Sequence, residues 1–249
     1  MKKLMLITAL MLAVACVGQR DDPEIPDDTP ENPDIPAPAD STETVSGTCL
    51  ILDFTGTWCV NCPRMEAAIE EAMASRPGTI VPVSVHCLTL DPMAPMPLSS
   101  DLASRFGVSA YPSVVVDLVP GSLFSTTSPE LLLSRCDAAL AARGEAAELT
   151  AERSGSMVTV SATIAQPGDY TLDILVLEDG IVAAQTGGSE QHVHNNVLRQ
   201  WIVSEPFTSL GKGDEILINR ALLLTEGQRI VALACRDGIV NAVFPLQAE

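Results

Sequence analysis

Asp53-Phe54-Thr55-Gly56-Thr57-Trp58-Cys59-Val60-Asn61-Cys62-Pro63 is the stretch whose reading decides the fold. It joins an apolar strand, residues 49–54, to a helix predicted to run from about Cys59 to residue 75. Two cysteines spaced by two residues at a strand–helix junction make a redox pair. A sulfur at a helix N-terminus meets unpaired backbone amides and the positive end of the macrodipole. Both favour a thiolate, so Cys59 is the expected nucleophile. Asp53 lies in the otherwise apolar strand, where a charge is costly unless it has a task.

A second pattern follows downstream. Gly107-Val108 leads to Tyr111-Pro112 and then to the apolar run Ser113-Val114-Val115-Val116. Together, D-F-x-x-x-W-C-x-x-C and G-V-x-x-Y-P-S-V-V-V resemble the thioredoxin superfamily over roughly residues 48–145. The resemblance implies that Asp53 takes a proton from Cys62. It implies that Cys59 attacks and Cys62 resolves, and that Pro112 is cis and lies against the disulfide. Tyr111 would then offer backbone hydrogen bonds to an extended substrate, with Trp58 supplying apolar contact. Asn61 stands where strongly oxidising relatives carry histidine, which favours a reductase or isomerase.

The ends of the chain suggest export. Lys2 and Lys3 precede a 12-residue, mostly apolar run at 4–15, too short to span a bilayer. Ala13-Val14-Ala15-Cys16 resembles a bacterial lipobox, with Ala13 where leucine is usual; this makes residues 1–16 a signal peptide and Cys16 a lipidation site. Ordinary signal-peptidase cleavage after Ala15 is the alternative. Residues 17–47 form an acidic tether. Between Asp21 and Asp40 there are eight acids, six prolines and no Lys or Arg, a composition that cannot fold and stays extended.

The net charge of −18, with only 14 Lys plus Arg, disfavours nucleic acid and anionic lipid surfaces as partners. Seven cysteines suit an oxidising compartment. Beyond Cys16 and the Cys59/Cys62 pair remain Cys49, Cys87, Cys136 and Cys235, whose three possible pairings the sequence leaves open. Cys49 begins one strand and Cys87 ends the next. If those strands are parallel neighbours, the two thiols lie too far apart to bond.

Alternating strands and helices over 48–147 imply an α/β thioredoxin-like domain. The predicted order is strand 49–54, helix 59–75, strand 79–86, helix 100–106, strand 113–118 and helix 129–143. Segment 88–99, in which Met93, Met96 and Leu98 stand near Pro92, Pro95 and Pro97, is a candidate wall of the substrate groove. Residues 150–249 read as an all-β antiparallel sandwich domain, with strands at 157–164, 170–177, 181–183, 192–203, 214–224, 228–236 and 239–246. Glu178-Asp179-Gly180 and Asp237-Gly238 are its hairpin signals.

His192 and His194 share a strand face, but two imidazoles fall short of the ligand set zinc takes, so no metal and no cofactor is expected. The run from His192 to Arg199 resembles the Omp28-related lipoproteins of the Bacteroidota outer membrane, which join a thioredoxin-like domain to a β-sandwich. That resemblance implies an envelope location, periplasmic or surface-facing.

The function expected is thiol–disulfide exchange by a membrane-tethered oxidoreductase. Its partners would be cysteine-containing envelope proteins and an unidentified redox donor. The rival reading is a non-enzymatic lipoprotein with a static Cys59–Cys62 disulfide and a partner-binding sandwich.

Overall fold

In a computed structural model, residues 47–246 are described. The predicted signal peptide, the predicted lipidation site Cys16 and nearly all of the predicted tether lie outside them. Within this range the chain is a mixed α/β structure dominated by one large sheet. Three helices and thirteen strands follow one another as β1 (Cys49–Thr55), α1 (Cys62–Ser75), β2 (Ile80–His86), α2 (Leu98–Phe106), β3 (Ser113–Val116), α3 (Pro129–Arg143), β4 (Glu148–Ser154), β5 (Met157–Thr163), β6 (Gly168–Glu178), β7 (Ile181–Ala183), β8 (His192–His194), β9 (Val197–Val203), β10 (Phe207–Leu210), β11 (Glu215–Ala221), β12 (Gln228–Arg236) and β13 (Ile239–Leu246). Among these residues no helix is long and apolar enough to cross a membrane.

β1 and β2 pair in parallel with Cys49 opposite Ile80 and Thr55 opposite His86, while β3 runs antiparallel on the other side of β1. Cys49 and Cys87 therefore stand at opposite ends of this pair. α1 carries its buried side chains at Cys62, Met65, Ala68, Ile69 and Ala72, the three-to-four spacing of one helix face. Ser128 caps α3 by accepting a hydrogen bond from the Leu131 amide at 3.2 Å, and Pro129 stands in the first turn.

The boundary expected near residue 150 does not divide two sheets. Ser84 of β2 pairs with Val197 of β9, so the strands run in one eight-stranded sheet, β13-β12-β6-β9-β2-β1-β3, with β10 beside β6. Its two faces are covered differently. α2 packs on one face through Leu102 and Phe106, over Leu52, Val83, Leu175, Leu198 and Leu233 from both halves of the chain. On the opposite face α1 and α3 cover Cys49, Ile51 and Val114. Further along, the three-stranded sheet β11-β5-β4 closes over Leu172, Ile174 and Ala232. The antiparallel β layers expected after residue 150 thus exist, but one of them continues the sheet of the first half.

Two local expectations are corrected. β7 does not fold back on β6 through Asp179-Gly180. The edges of β6 are taken by β12, β9 and β10, so β7 pairs with β8 in a separate two-stranded ribbon. The strand predicted over 192–203 is broken at Asn196, whose φ of 59° turns the chain between β8 and β9. Asp237-Gly238 does close a tight hairpin, with Arg236 opposite Ile239.

Candidate functional site

The site is built where β1 ends and α1 begins. Cys59 and Cys62 are joined in a disulfide. The helix predicted to start at about Cys59 starts three residues later, at Cys62. Two turns lead into it: one over residues 56–59, closed by the Cys59 amide donating to the Gly56 carbonyl at 3.0 Å, and a second at Val60 and Asn61. Cys62, not Cys59, is therefore the residue inside the first helical turn. Both cysteines are enclosed, Cys59 at 5% and Cys62 at 2% exposure.

Trp58 lies across this turn. Its indole Nε1 donates to the Cys87 carbonyl at 3.1 Å, and its ring meets Tyr111 edge-on at 5.0 Å. Gly56 makes that posture possible: a Cβ there would sit 2.5 Å from the Trp58 Nε1. The Tyr111–Pro112 peptide is cis, and Pro112 is buried. Beside Tyr111 opens a cleft of about 620 Å³ lined by Cys87, Leu88, Leu90, Met96 and Ala103. Segment 88–99 therefore does form one wall of a groove, together with α2. Leu90 on its rim is 91% exposed. Burial pushes the Cys87 thiol up to about 11, so it is protonated at neutral pH.

Asp53 alternates onto the α1 side of the sheet, where Ile51 is packed. It is 4% exposed, and its Oδ1 is buried without a hydrogen-bond partner. Burial, reinforced by the nearby Glu66 charge, pushes its carboxyl up to about 8. A small cavity of about 20 Å³, lined by Asp53, Cys62, Glu66, His86 and His194 among others, brings the acid and the second cysteine together. That volume holds roughly one water.

Several neighbours escaped sequence reasoning. Asp91 is the anchor of the loop: it accepts hydrogen bonds from the Thr57 amide at 2.7 Å, the Thr57 hydroxyl at 3.2 Å and the Met93 amide at 2.9 Å, and pairs with His86 at 3.1 Å. Burial alone would raise its carboxyl, but these partners hold it below the ordinary range. On the far side, the segment between β7 and β8 lies on the disulfide-bearing turn. Gln185 donates to the Gly56 carbonyl at 3.2 Å and to the Cys59 carbonyl at 2.9 Å, and the Thr186 amide donates to the Thr57 carbonyl at 2.8 Å. Gly187 approaches so closely that a Cβ would sit 2.2 Å from the Val60 carbonyl oxygen. Glu66, one turn after Cys62 on the same helix face, was the only one of these with a readable signal. Among the described residues no group of three or more His, Cys, Asp or Glu side chains converges as a metal site.

No family model matches the chain, and no curated protein matches it in sequence. Solved structures do resemble it. HBP35 of Porphyromonas gingivalis superposes with a TM-score of 0.67 at 15% identity, covering 82% of this chain and 76% of that one. A crystal structure of a protein from Agrobacterium tumefaciens superposes with a TM-score of 0.62 at 11% identity, covering 82% of this chain and 98% of that one. At these identities the likeness is one of fold, and the chain is similar in architecture to a protein of the Bacteroidota.

Proposed function

We propose that this chain is an exported, membrane-tethered thiol–disulfide oxidoreductase with a thioredoxin-like redox centre in an Omp28-related arrangement. The observation that carries the reading is Asp53: a buried carboxyl, pushed up to about 8, sharing a one-water cavity with Cys62. Such a group is suited to accept a proton near neutral pH. In the reduced protein, the Cys59 thiolate attacks a substrate disulfide. The Cys59–substrate bond forms, and the first substrate sulfur leaves with the electron pair and takes a proton from water. Cys62 then gives its proton to Asp53 through the cavity water and attacks Cys59. The Cys59–Cys62 bond re-forms and the second substrate sulfur leaves. An envelope dithiol must reduce the pair again. The groove beside Tyr111 and Trp58 is where an extended cysteine-bearing polypeptide would lie.

The enclosure of the pair favours a second reading, a static disulfide in a lipoprotein whose β layers bind a partner. Cys59 is 5% exposed, and Gln185, Thr186 and Gly187 pack on its turn. Dithiothreitol-driven reduction of insulin separates the two. Exchange chemistry requires activity that vanishes in Cys59→Ser, and mixed disulfides trapped through Cys59 in Cys62→Ser. No turnover, together with a reduction potential below about −300 mV, would establish the static bond.

A further inference from the structure

All three histidines of the chain gather on one side of the redox pair. His194 lies between the other two, its ring centroid 5.4 Å from that of His86 and 4.6 Å from that of His192. At the outer end, His192 Nε2 meets Glu66 Oε2 at 2.8 Å, with side chains 20% and 32% exposed. At the inner end, His86 is held by Asp91. His194 itself is 4% exposed, and its Nε2 is buried with no hydrogen-bond partner. A buried polar nitrogen left without a partner is costly unless something meets it. The cavity it lines is the one that holds Asp53 and Cys62.

Resting on the exchange chemistry above, we propose that His194, with His192 and Glu66, forms the proton exit of the resolving step, passing to solvent the proton that Cys62 sheds into the Asp53 cavity. Asp53 is otherwise enclosed, and each turnover must empty it before the next. The path runs from the Asp53 carboxyl through the cavity water to His194 Nε2, then by way of His192 and Glu66 to the surface. No electrons move along it; the S–S exchange is balanced by the departing substrate thiolate, which takes up a proton outside.

The titratable groups beside His194 are Asp53 from β1, Glu66 from α1 and His86 from β2 around the shared cavity, Asp91 from the loop after β2, and His192 from its own strand. Burial first, then the His86 and His192 charges, lower His194 to about 4. The ring is thus neutral at pH 7 and its lone pair is free to accept.

The test uses the full reduced chain and dithiobis(nitrobenzoate). The first coloured thiolate is released when Cys59 attacks the reagent, the second when Cys62 resolves the mixed disulfide. In His194→Gln the first phase keeps its wild-type rate. The second slows about tenfold or more at about pH 8, where Asp53 is partly ionised and can accept, and rejoins wild type above about pH 9.5, where hydroxide deprotonates the thiol without a relay. His192→Gln, at the half-buried mouth, shows a smaller slowing of the same pH shape. If His194→Gln does not fold, His192→Gln carries the test. A second phase whose pH profile superposes on wild type, or is displaced equally at every pH, overturns the relay while leaving the exchange chemistry intact. A wild-type protein that never shows a second phase removes the exchange reading, and the relay with it.

Discussion

The side-chain amide of Gln185 donates to the Cys59 carbonyl oxygen at 2.9 Å, across 126 residues of sequence. The turn that carries the Cys59–Cys62 disulfide is thus held from outside by a segment of the second half. Replacing Gln185 with Ala leaves the Gly56 and Cys59 carbonyls without this donor and costs about 1–3 kcal/mol of stability in urea denaturation. Amide hydrogen exchange across residues 56–60 speeds up in the variant. Unchanged exchange there would mean that the turn is rigid without its outer support.

Gly187 gives a sharper test of the same contact. Its φ is +78° and a Cβ would lie 2.2 Å from the Val60 carbonyl oxygen, whereas Gly78 has φ +80° with open space around it. Gly78→Ala carries only the backbone strain, about 1 kcal/mol. Gly187→Ala carries that strain plus displacement of the turn, about 2–4 kcal/mol in total. Equal losses in thermal or chemical unfolding would show that the segment is not seated on the Cys59–Cys62 turn.

Asp53 ties stability to pH. Its folded value, about 8, is above the ordinary 3.8, so between these pH values the folded state holds a proton that the unfolded state has released. Stability from this group is therefore lost as pH rises from about 4 to about 8. Asp53→Asn removes that penalty. The variant gains little at pH 4 and about 2–5 kcal/mol relative to wild type at pH 8.5, at about 1.4 kcal/mol per unit. The same variant resolves mixed disulfides more slowly. A stability difference independent of pH would contradict the raised carboxyl.

Arg143 and Asp117 form a buried pair at 2.7 Å, side chains 5% and 2% exposed. Arg143 also donates to the Thr48 carbonyl at 2.9 Å, and Asp117 accepts from the Leu50 amide at 2.8 Å. This stitches the end of α3 to the start of β1. Arg143→Met strands the carboxylate and costs about 3–5 kcal/mol. Adding Asp117→Asn restores part of the loss, since the amide oxygen still serves Leu50. A double variant no better than the single would assign the cost to lost packing alone.

Cys49, Cys87, Cys136 and Cys235 are unpaired and buried. Maleimide should label none of the four in the native protein and all of them after unfolding, with each site read by peptide mapping. Protection of Cys49 and Cys136 after non-reducing denaturation would reveal a bond between β1 and α3.

How much of this was legible varies with distance along the chain. The Asp53–Cys62 segment, the parallel pairing of β1 with β2, α3 with its Ser128 cap and the Asp237-Gly238 hairpin all follow from local pattern. Helix α1 starts late because its first-turn proline follows Cys62, which leaves Val60 and Asn61 to a turn. The join of Ser84 to Val197 and the seating of Gln185 on Cys59 depend on tertiary approach, for which neither propensity nor periodicity carries a signal. The Asp179-Gly180 turn misled for the same reason: hairpin chemistry was present, but every edge of β6 was already occupied.

The outer support of the disulfide-bearing turn also sets an order of events in biosynthesis. Ribosomes deliver Cys59 and Cys62 well before Gln185, and 126 residues at about 5–20 per second separate them by roughly 6–25 s. For that interval the two thiols are reactive and unsheltered, in a nascent chain whose β2 still lacks its neighbour β9. The turn therefore reaches its final setting only once the C-terminal half has arrived.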